Sequence, residues 1–504
     1  MSDPLSILRT SATGTRTAVR SEEQVCMLID TSTCIGCKAC EVACVEWNDL
    51  HVEPEGGQRV LHSYQTMPDM TPAFWNLIRF NEVPVDQNRR PTTEAAGVSL
   101  MMLMRKDMCL HCAEPGCLIA CPAEGAIVQW SNGIVDFQQE HCIGCGYCMT
   151  GCPFHVPKLD ARTGRVYKCT MCIDRVSHGL GPACVKACPT GCLEFGTKSE
   201  MLARAERRVE RLREEGFAQA GIYDPQGVGG TGVIYVLHHA DQPELYGGLP
   251  RAPSITAAVR LWKGPLKWLG SGSLWGALGV AILHYLTVGP RRVAGRPGER
   301  QVLRYRTSER LLHWTIALSF LYLLTTGLGL WSPHLAFLLR VIGGGQVARA
   351  WHPVIGLMFA CCVLLQLLRW RGDLRLSGSD WIWLRRLRDH VAGRHENLPP
   401  SGRFNAGQKL LFLIQCVLAA VLLSTGVPIW FPQAFAQSVR QVALLIHAAA
   451  GVLAMLSLLV HVYMAVLVTR GALGAMIEGT VSEAWAREHH AAWAEELLGP
   501  PSPP

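Results

Sequence analysis

Polar and apolar positions divide this chain sharply near Pro250. Up to that point the sequence is polar, rich in Gly and Pro, and reads as a soluble domain. Beyond it apolar stretches dominate, and five are candidate membrane helices: about 270–288, 311–331, 352–370, 408–428 and 442–468. Any one stretch could be a buried helix of a soluble core, but five in succession predict a membrane bundle. The second holds Thr325 and Thr326 with Gly327 and Gly329, ordinary composition inside such a bundle. Gly426 and Pro428 predict an interruption near the end of the fourth.

Charge gives the bundle an orientation. The net charge of +7 over 504 residues is not a nucleic-acid signal, because the arginines sit beside the apolar stretches. Arg291, Arg292, Arg296, Arg300, Arg304, Arg306 and Arg310 separate the first and second helices. Arg369, Arg371, Arg375, Arg385, Arg386, Arg388, Arg394, Arg403 and Lys409 separate the third and fourth. The alternate loops carry only Arg340 and Arg349, and Arg440. The positive-inside rule makes the two rich loops cytoplasmic and places the polar domain on the outer face. Residues 1–20 show neither an apolar h-region nor a twin arginine, which leaves two alternatives: a partner carries the folded domain across the membrane, or the orientation is the reverse.

Of the 21 cysteines, sixteen fall in four runs within the first 190 residues. They are Cys34, Cys37, Cys40 and Cys44; Cys109, Cys112, Cys117 and Cys121; Cys142, Cys145, Cys148 and Cys152; and Cys169, Cys172, Cys184 and Cys188. The first and third follow C-x2-C-x2-C-x3-C, and three runs end in Cys-Pro. Two-residue gaps let three thiolates converge on one iron–sulfur cube, while the fourth ligates the neighbouring cube. A zinc ribbon has no use for a third cysteine two residues further on. A disulfide framework does not crowd three thiols into one turn. The runs predict four [4Fe-4S] clusters. Cys26, Cys192, Cys361, Cys362 and Cys416 read as buried thiols.

Four histidines fall at membrane depth, where an ionisable group is costly. His313 and His352 sit at the starts of the second and third helices, and His447 and His461 lie on the fifth. The last two are fourteen residues apart, on one helical face and roughly 21 Å apart along the axis. Alternating helix direction then places His352 with His447 near the outer surface and His313 with His461 near the inner one. Two bis-histidine sites at two depths suit two b haems, since paired axial imidazoles leave no substrate position on the iron. The alternative for each is an interhelical hydrogen bond. His284 has no partner at its depth and reads as structural; His334, His390 and His395 fall in loops. Without C-x-x-C-H, c-type haem is not expected.

Several stretches resemble a known family, the membrane-bound, quinone-reducing formate dehydrogenases. TCIGCKACEVACVEWND from Thr33, DMCLHCAEPGCLIACPAEGAI from Asp107 and NGIVDFQQEHCIGCGYC from Asn132 are similar to its iron–sulfur (beta) subunit. GVGGTGVIYVLHHADQPELYGGLP from Gly227 discriminates best, because it carries no cluster ligands. From about Arg306 the chain resembles the cytochrome b (gamma) subunit, through RLLHWT, WHPVIG, FNAGQK, LLIHAAAG and LVHVYMA. The two subunits are normally separate and look fused here. Expected domains are a ferredoxin-type domain at 1–250, an anchor helix at 251–289, a basic cytoplasmic linker at 290–306 and a dihaem cytochrome b at 307–504. The fold class is an α+β four-cluster domain followed by an all-α bundle of five membrane helices.

The resemblance implies ligand sets: Cys34, Cys37, Cys40 with Cys188; Cys169, Cys172, Cys184 with Cys44; Cys109, Cys112, Cys117 with Cys152; and Cys142, Cys145, Cys148 with Cys121. It implies axial ligation by His313, His352, His447 and His461, and a quinone (menaquinone or ubiquinone) site at Asn405, Gly407 and His461. On the residues alone, Asn405 could equally cap the fourth helix. The implied function is electron transfer and membrane anchoring in a formate:quinone oxidoreductase of the bacterial inner membrane. Its partner would be a separate molybdopterin-type catalytic (alpha) subunit holding molybdenum or tungsten, with room for a higher oligomer of the complex. No residue here is assigned to formate oxidation itself. The alternatives are an equivalent subunit of a hydrogenase, nitrate or sulfur-compound reductase, and a redox sensor without turnover.

Overall fold

The computed structural model describes residues 5–11, 24–51, 64–92, 99–289, 299–332, 335–392, 394 and 397–500. Outside them lie His334, His395, the arginines at 291, 292 and 296, and most of the stretch 1–20. The chain divides into two compact units, Met1–Arg260 with Gly329–Arg349, and Leu261–Leu328 with Ala350–Pro504.

In the first unit a four-stranded sheet runs in the order Gly221–Tyr223, Val233–Leu237, Val25–Asp30, Leu193–Thr197. The two central strands are parallel, with Val233 opposite Met27, and the outer pairs are antiparallel. Side chains alternate across a strand, and here the alternation separates two cores. Cys26, Leu28, Ile234 and Val236 pack under the helix Lys198–Glu214. That helix buries Met201, Ala205, Val209 and Leu212 at helical spacing, and Thr197 and Glu200 close a reciprocal cap at its start. Met27, Ile29, Val233 and Tyr235 face the other way, into a core that includes Cys40, Cys109, Cys152, Cys169 and Cys184. A long hairpin, Leu77–Val85 against Ser99–Asp107, covers that second core, with Leu77 opposite Asp107 and Val85 opposite Ser99. This is the ferredoxin-like part of an α+β fold.

In the second unit lie most of the residues of five helices long and apolar enough to cross a membrane: Ala257–Val288, Thr307–Trp331, Gly345–Trp370, Ala406–Trp430 and Gln437–Val468. The last ends in a π-helical turn, Tyr463–Val468. The helices start earlier than their apolar stretches, because polar first turns still propagate the helix. His313 and His352 therefore stand about two turns in, not at the helix starts. The expected interruption of the fourth helix does not occur: it runs through Pro428 to Trp430. A proline is tolerated at membrane depth where surrounding groups re-satisfy the freed backbone. His284 uses both ring nitrogens within this unit, Nε2–H donating to the Val391 carbonyl (2.8 Å) and Nδ1 accepting from the Tyr463 hydroxyl (2.5 Å).

The segment after the first long helix and the C-terminal segment are tied together by a small cap. Gln301–Leu303 pairs antiparallel with Thr480–Ser482. Arg304 is buried among Tyr305, Trp485 and Trp493, its guanidinium 4.9–5.3 Å from each ring centre. It donates to the Arg403 carbonyl and to His490 Nε2 (2.8 Å). Arg403 in turn binds Glu309 and Asp373, both at 2.8 Å.

Candidate functional site

The cysteine runs sit on short loops and single helical turns whose thiols turn inward. Two of those turns, Gly116–Ala120 and Tyr147–Gly151, cross at their glycines. A Cβ on Gly116 would run into the Gly151 carbonyl oxygen; one on Gly151 would meet the Gly116 carbonyl and come within 2.7 Å of Ala120 Cβ. Each turn carries one cysteine of its own run inside (Cys117, Cys148) and one at its end (Cys121, Cys152). The glycine contact lets the end cysteine of each turn reach the other's thiols.

The thiols gather in sets drawn from different runs. Burial pushes the Cys112 and Cys117 thiols up, and Cys152 and Cys109 beside them push further. Burial does the same to Cys148, reinforced by Cys121, Cys145, Cys117 and Cys142. Cys172 is pushed up to about 11 by burial, with Cys184 and Cys44 among its neighbours. Cys40, also at about 11 through burial, has Cys184 and Cys34 nearby. Cys37 is exposed and Cys188 adjoins Cys192.

Two of these sets each line a small cavity, Cys44, Cys169, Cys172 and Cys184 one of them and Cys109, Cys112, Cys117 and Cys152 the other. Among the described residues no three His, Cys, Asp or Glu side chains are drawn in to the spacing of a single metal ion. A cube does not ask for that spacing, because each thiolate meets a different iron at a different corner. The donor set and the cavities fit [4Fe-4S] clusters.

The membrane histidines form two facing pairs. His313 and His461 have ring centres 6.2 Å apart, and His352 and His447 stand at 6.3 Å. Two metal–nitrogen bonds of about 2.0 Å, plus half a ring beyond each nitrogen, span roughly that distance. The His352–His447 pair is held from behind. Thr326 gives its hydroxyl hydrogen to the Tyr322 carbonyl (2.8 Å), so its oxygen accepts His352 Nδ1–H at 2.6 Å. Thr425 does the same, donating to Val421 (2.6 Å) and accepting from His447 Nδ1 at 3.0 Å. Both Nε2 lone pairs are thereby left for a metal. His313 Nδ1, by contrast, is buried with no hydrogen-bond partner among the described residues. Gln366, fourteen residues beyond His352 on one helix, is 1% exposed with both amide atoms unpartnered among those residues. Four turns, roughly 21 Å, separate it from His352 along that helix.

Residues 33–126 and 100–198 match models of the 4Fe-4S dicluster domain, and 255–297 match the model described as formate dehydrogenase N, transmembrane. Residues 304–479 match prokaryotic cytochrome b561. The nitrate-inducible formate dehydrogenase iron–sulfur subunit of Escherichia coli strain K12 is 52% identical over 290 residues, which are 57% of this chain and 94% of that protein. The chain belongs to the formate dehydrogenase iron–sulfur subunit family. The formate dehydrogenase iron–sulfur subunit of Haemophilus influenzae is 53% identical over 267 residues, 53% of this chain and 81% of that protein. The cytochrome b556(fdo) subunit of formate dehydrogenase from E. coli K12 is 35% identical over 200 residues, 39% of this chain and 93% of that protein. This family member thus carries the iron–sulfur and cytochrome b subunits in one polypeptide, as an electron-transfer membrane subunit.

Sequence reasoning passed over several residues of this formate dehydrogenase subunit. Gly116 and Gly151 matter only through a contact 35 positions apart in the chain. Cys192 has no spacing partner, yet its thiol hydrogen-bonds Cys34 and holds that thiol below its ordinary value. Thr326 and Thr425 signal nothing as single residues in apolar helices. Asn405 caps the fourth helix, its Oδ1 accepting from Gln408 N–H (2.9 Å) and Gln408 answering at 3.1 Å. Gly407 lies beneath Trp383, whose Cη2 a Cβ there would meet at 2.9 Å.

Proposed function

We propose that this chain carries electrons from a separate molybdopterin-type formate-oxidising subunit, through four [4Fe-4S] clusters and two b haems, to a quinone near the cytoplasmic surface. The ligand sets are Cys34, Cys37, Cys40 and Cys188; Cys44, Cys169, Cys172 and Cys184; Cys109, Cys112, Cys117 and Cys152; and Cys121, Cys142, Cys145 and Cys148. His352 and His447 hold the outer haem, His313 and His461 the inner one. The observation that carries this reading is the pair of histidine couples 6.2 and 6.3 Å apart, in one chain with cysteine sets gathered across runs.

Clusters and haems supply one-electron carriage; the protein sets their order and their potentials. The cysteine loops bury eleven of the sixteen ligand cysteines. The threonines fix the imidazole tautomers of the outer pair. Asn405 and Gly407 stand at the start of the fourth helix, beside the arginine-rich side of the bundle, where a quinone headgroup would draw its protons. The same arginine distribution supports a cluster domain on the periplasmic side. The domain limits at 250, 289 and 306 follow the same reading.

Purification of the tagged chain from membranes with its partner tests the proposal. Formate should reduce b-type haem and a quinone should reoxidise it, with sixteen irons and two haems per chain. Haem that dithionite reduces but formate does not, with the large partner present, would reassign the electron donor.

A further inference from the structure

The cavity lined by Cys44, Cys169, Cys172 and Cys184 contains one charged side chain that no cluster-binding pattern accounts for, Lys106. It lies on the hairpin strand Ser99–Asp107, opposite Ile78. Strand alternation sends its neighbours Arg105 and Asp107 to the other face, where they satisfy each other. Arg105 Nη1 reaches Asp107 at 2.8 Å, and Arg79 Nε takes the second carboxylate oxygen at 2.9 Å. The nearest carboxylate in sequence is therefore committed elsewhere. Lys106 is 1% exposed, and its Nζ has no hydrogen-bond partner among the described residues.

A buried ammonium without a partner is among the costliest groups a fold can hold. This one shares its cavity with Cys44, Cys169, Cys172 and Cys184, a whole proposed ligand set, with Asn48 and Asn76 as the other polar side chains of the same wall. Lys168 makes the contrast. It is equally buried and lines the other cavity, yet its Nζ donates to the Val135 and Cys169 carbonyls at 2.5 and 2.9 Å. Lys168 is tied to the backbone, whereas Lys106 is left facing the cavity.

We propose that Lys106 is a potential-setting residue, a fixed buried cation that hydrogen-bonds cluster sulfur and raises the reduction potential of the cluster held by Cys44, Cys169, Cys172 and Cys184. This rests on the ligand sets given above. A thiolate-ligated cube is anionic and gains one more negative charge on reduction. A cation at fixed distance in a low-dielectric cavity therefore favours the reduced form more than the oxidised one.

The test is a redox titration of the purified complex, followed by electron paramagnetic resonance, with iron content measured on the same samples. Lys106→Met keeps the length and removes the charge; Lys106→Arg keeps the charge. At full iron content, Lys106→Met should lower one cluster midpoint so that, at a fixed potential, the reduced-to-oxidised ratio falls at least tenfold, about 59 mV for one electron. Lys106→Arg should recover most of that change. Full iron content with every midpoint unchanged in Lys106→Met would overturn the proposal. If Lys106→Met loses four irons and Lys106→Arg keeps them, the charge is needed to hold the cluster, which supports it. Loss of the same irons in both variants makes the residue a matter of shape and overturns it. A wild-type complex with fewer than sixteen irons per chain would instead count against the ligand sets, whatever Lys106 does.

Discussion

Thr326 Oγ1 accepts the Nδ1–H of His352 at 2.6 Å, and its own hydrogen goes to the Tyr322 carbonyl one turn back. The threonine therefore fixes which imidazole nitrogen faces His447. Replacing it with valine keeps the branched shape and removes the acceptor. Partners behind a ligating imidazole are worth about 10–100-fold in affinity or activity. Thr326→Val should shift the outer haem in a spectroelectrochemical titration and leave the inner haem wave in place. Two unchanged waves would mean the hydroxyl serves only the helix backbone.

The two histidine pairs make a sharper quantitative claim. Each pair spans its own site, at 6.2 Å for His313–His461 and 6.3 Å for His352–His447, so the four residues act as two units. Alanine at any one of the four should remove one haem, halving the haem measured per chain by pyridine haemochrome. Combining His313→Ala with His461→Ala should remove no more than either alone. A double variant of the inner pair devoid of haem would break the pairing.

Gly116 and Gly151 hold two cysteine-bearing turns in backbone contact, and neither has room for a methyl group. Gly116→Ala forces the turns apart, an overpacking cost of about 1–3 kcal/mol before any ligand displacement is counted. Since Cys117, Cys121, Cys148 and Cys152 ride on those turns, two clusters should be affected together, a loss of up to eight of the proposed sixteen irons. Gly272→Ala, on the first membrane helix with nothing within 4 Å of the added carbon, is the control and should leave iron content unchanged.

His490 gives the C-terminal cap a pH dependence. Arg304 donates to its Nε2 and its Nδ1–H donates to the Gly402 carbonyl at 2.9 Å, which is the neutral tautomer. Burial, then the Arg304 charge, hold it well below the usual histidine range. Its folded value lies under its unfolded one, so the unfolded state binds the extra proton first. The stabilisation is complete above the ordinary histidine value of about 6.5 and is lost as pH falls below it. Hydrogen-exchange protection factors at Thr480–Leu498, which are corrected for the intrinsic pH dependence of exchange, should fall between pH 7 and pH 5, with a smaller fall in His490→Asn. An equal fall in both proteins would assign the effect elsewhere.

What was legible in the sequence was whatever a fixed spacing carries. The C-x2-C gaps and the fourteen-residue step from His447 to His461 are local arithmetic, and the folded chain sets those residues facing partners of the same kind. Five apolar stretches gave five helices, though each began late, because Thr307–Arg310 and Gly345–Trp351 are polar turns that a hydropathy window discounts. Residues whose meaning is a long-range contact were not legible. Lys106 looks like one more basic residue in LMRKDMC until the hairpin register shows which face it occupies. Cys192 lacks a run of its own and meets Cys34 only through the pairing of Val25–Asp30 with Leu193–Thr197. The break expected at Pro428 failed because the membrane bundle overrides a local preference that would end a helix in water.

Asn405 has two readings that one residue can separate. Its side chain closes a capping box with Gln408, which by itself explains an asparagine at the head of a helix. The quinone role asks in addition for an amide at that point. Asn405→Ala removes both, with a capping loss of about 1 kcal/mol. Asn405→Ser keeps a competent cap, since serine is about as good as asparagine at that position, but offers no amide. If the amide binds quinone, Asn405→Ser should keep thermal stability and formate-dependent haem reduction, while reoxidation of the haem by quinone slows at least tenfold. If the residue only caps, quinone reoxidation in Asn405→Ser stays at the wild-type rate, and the proposed site moves toward His461.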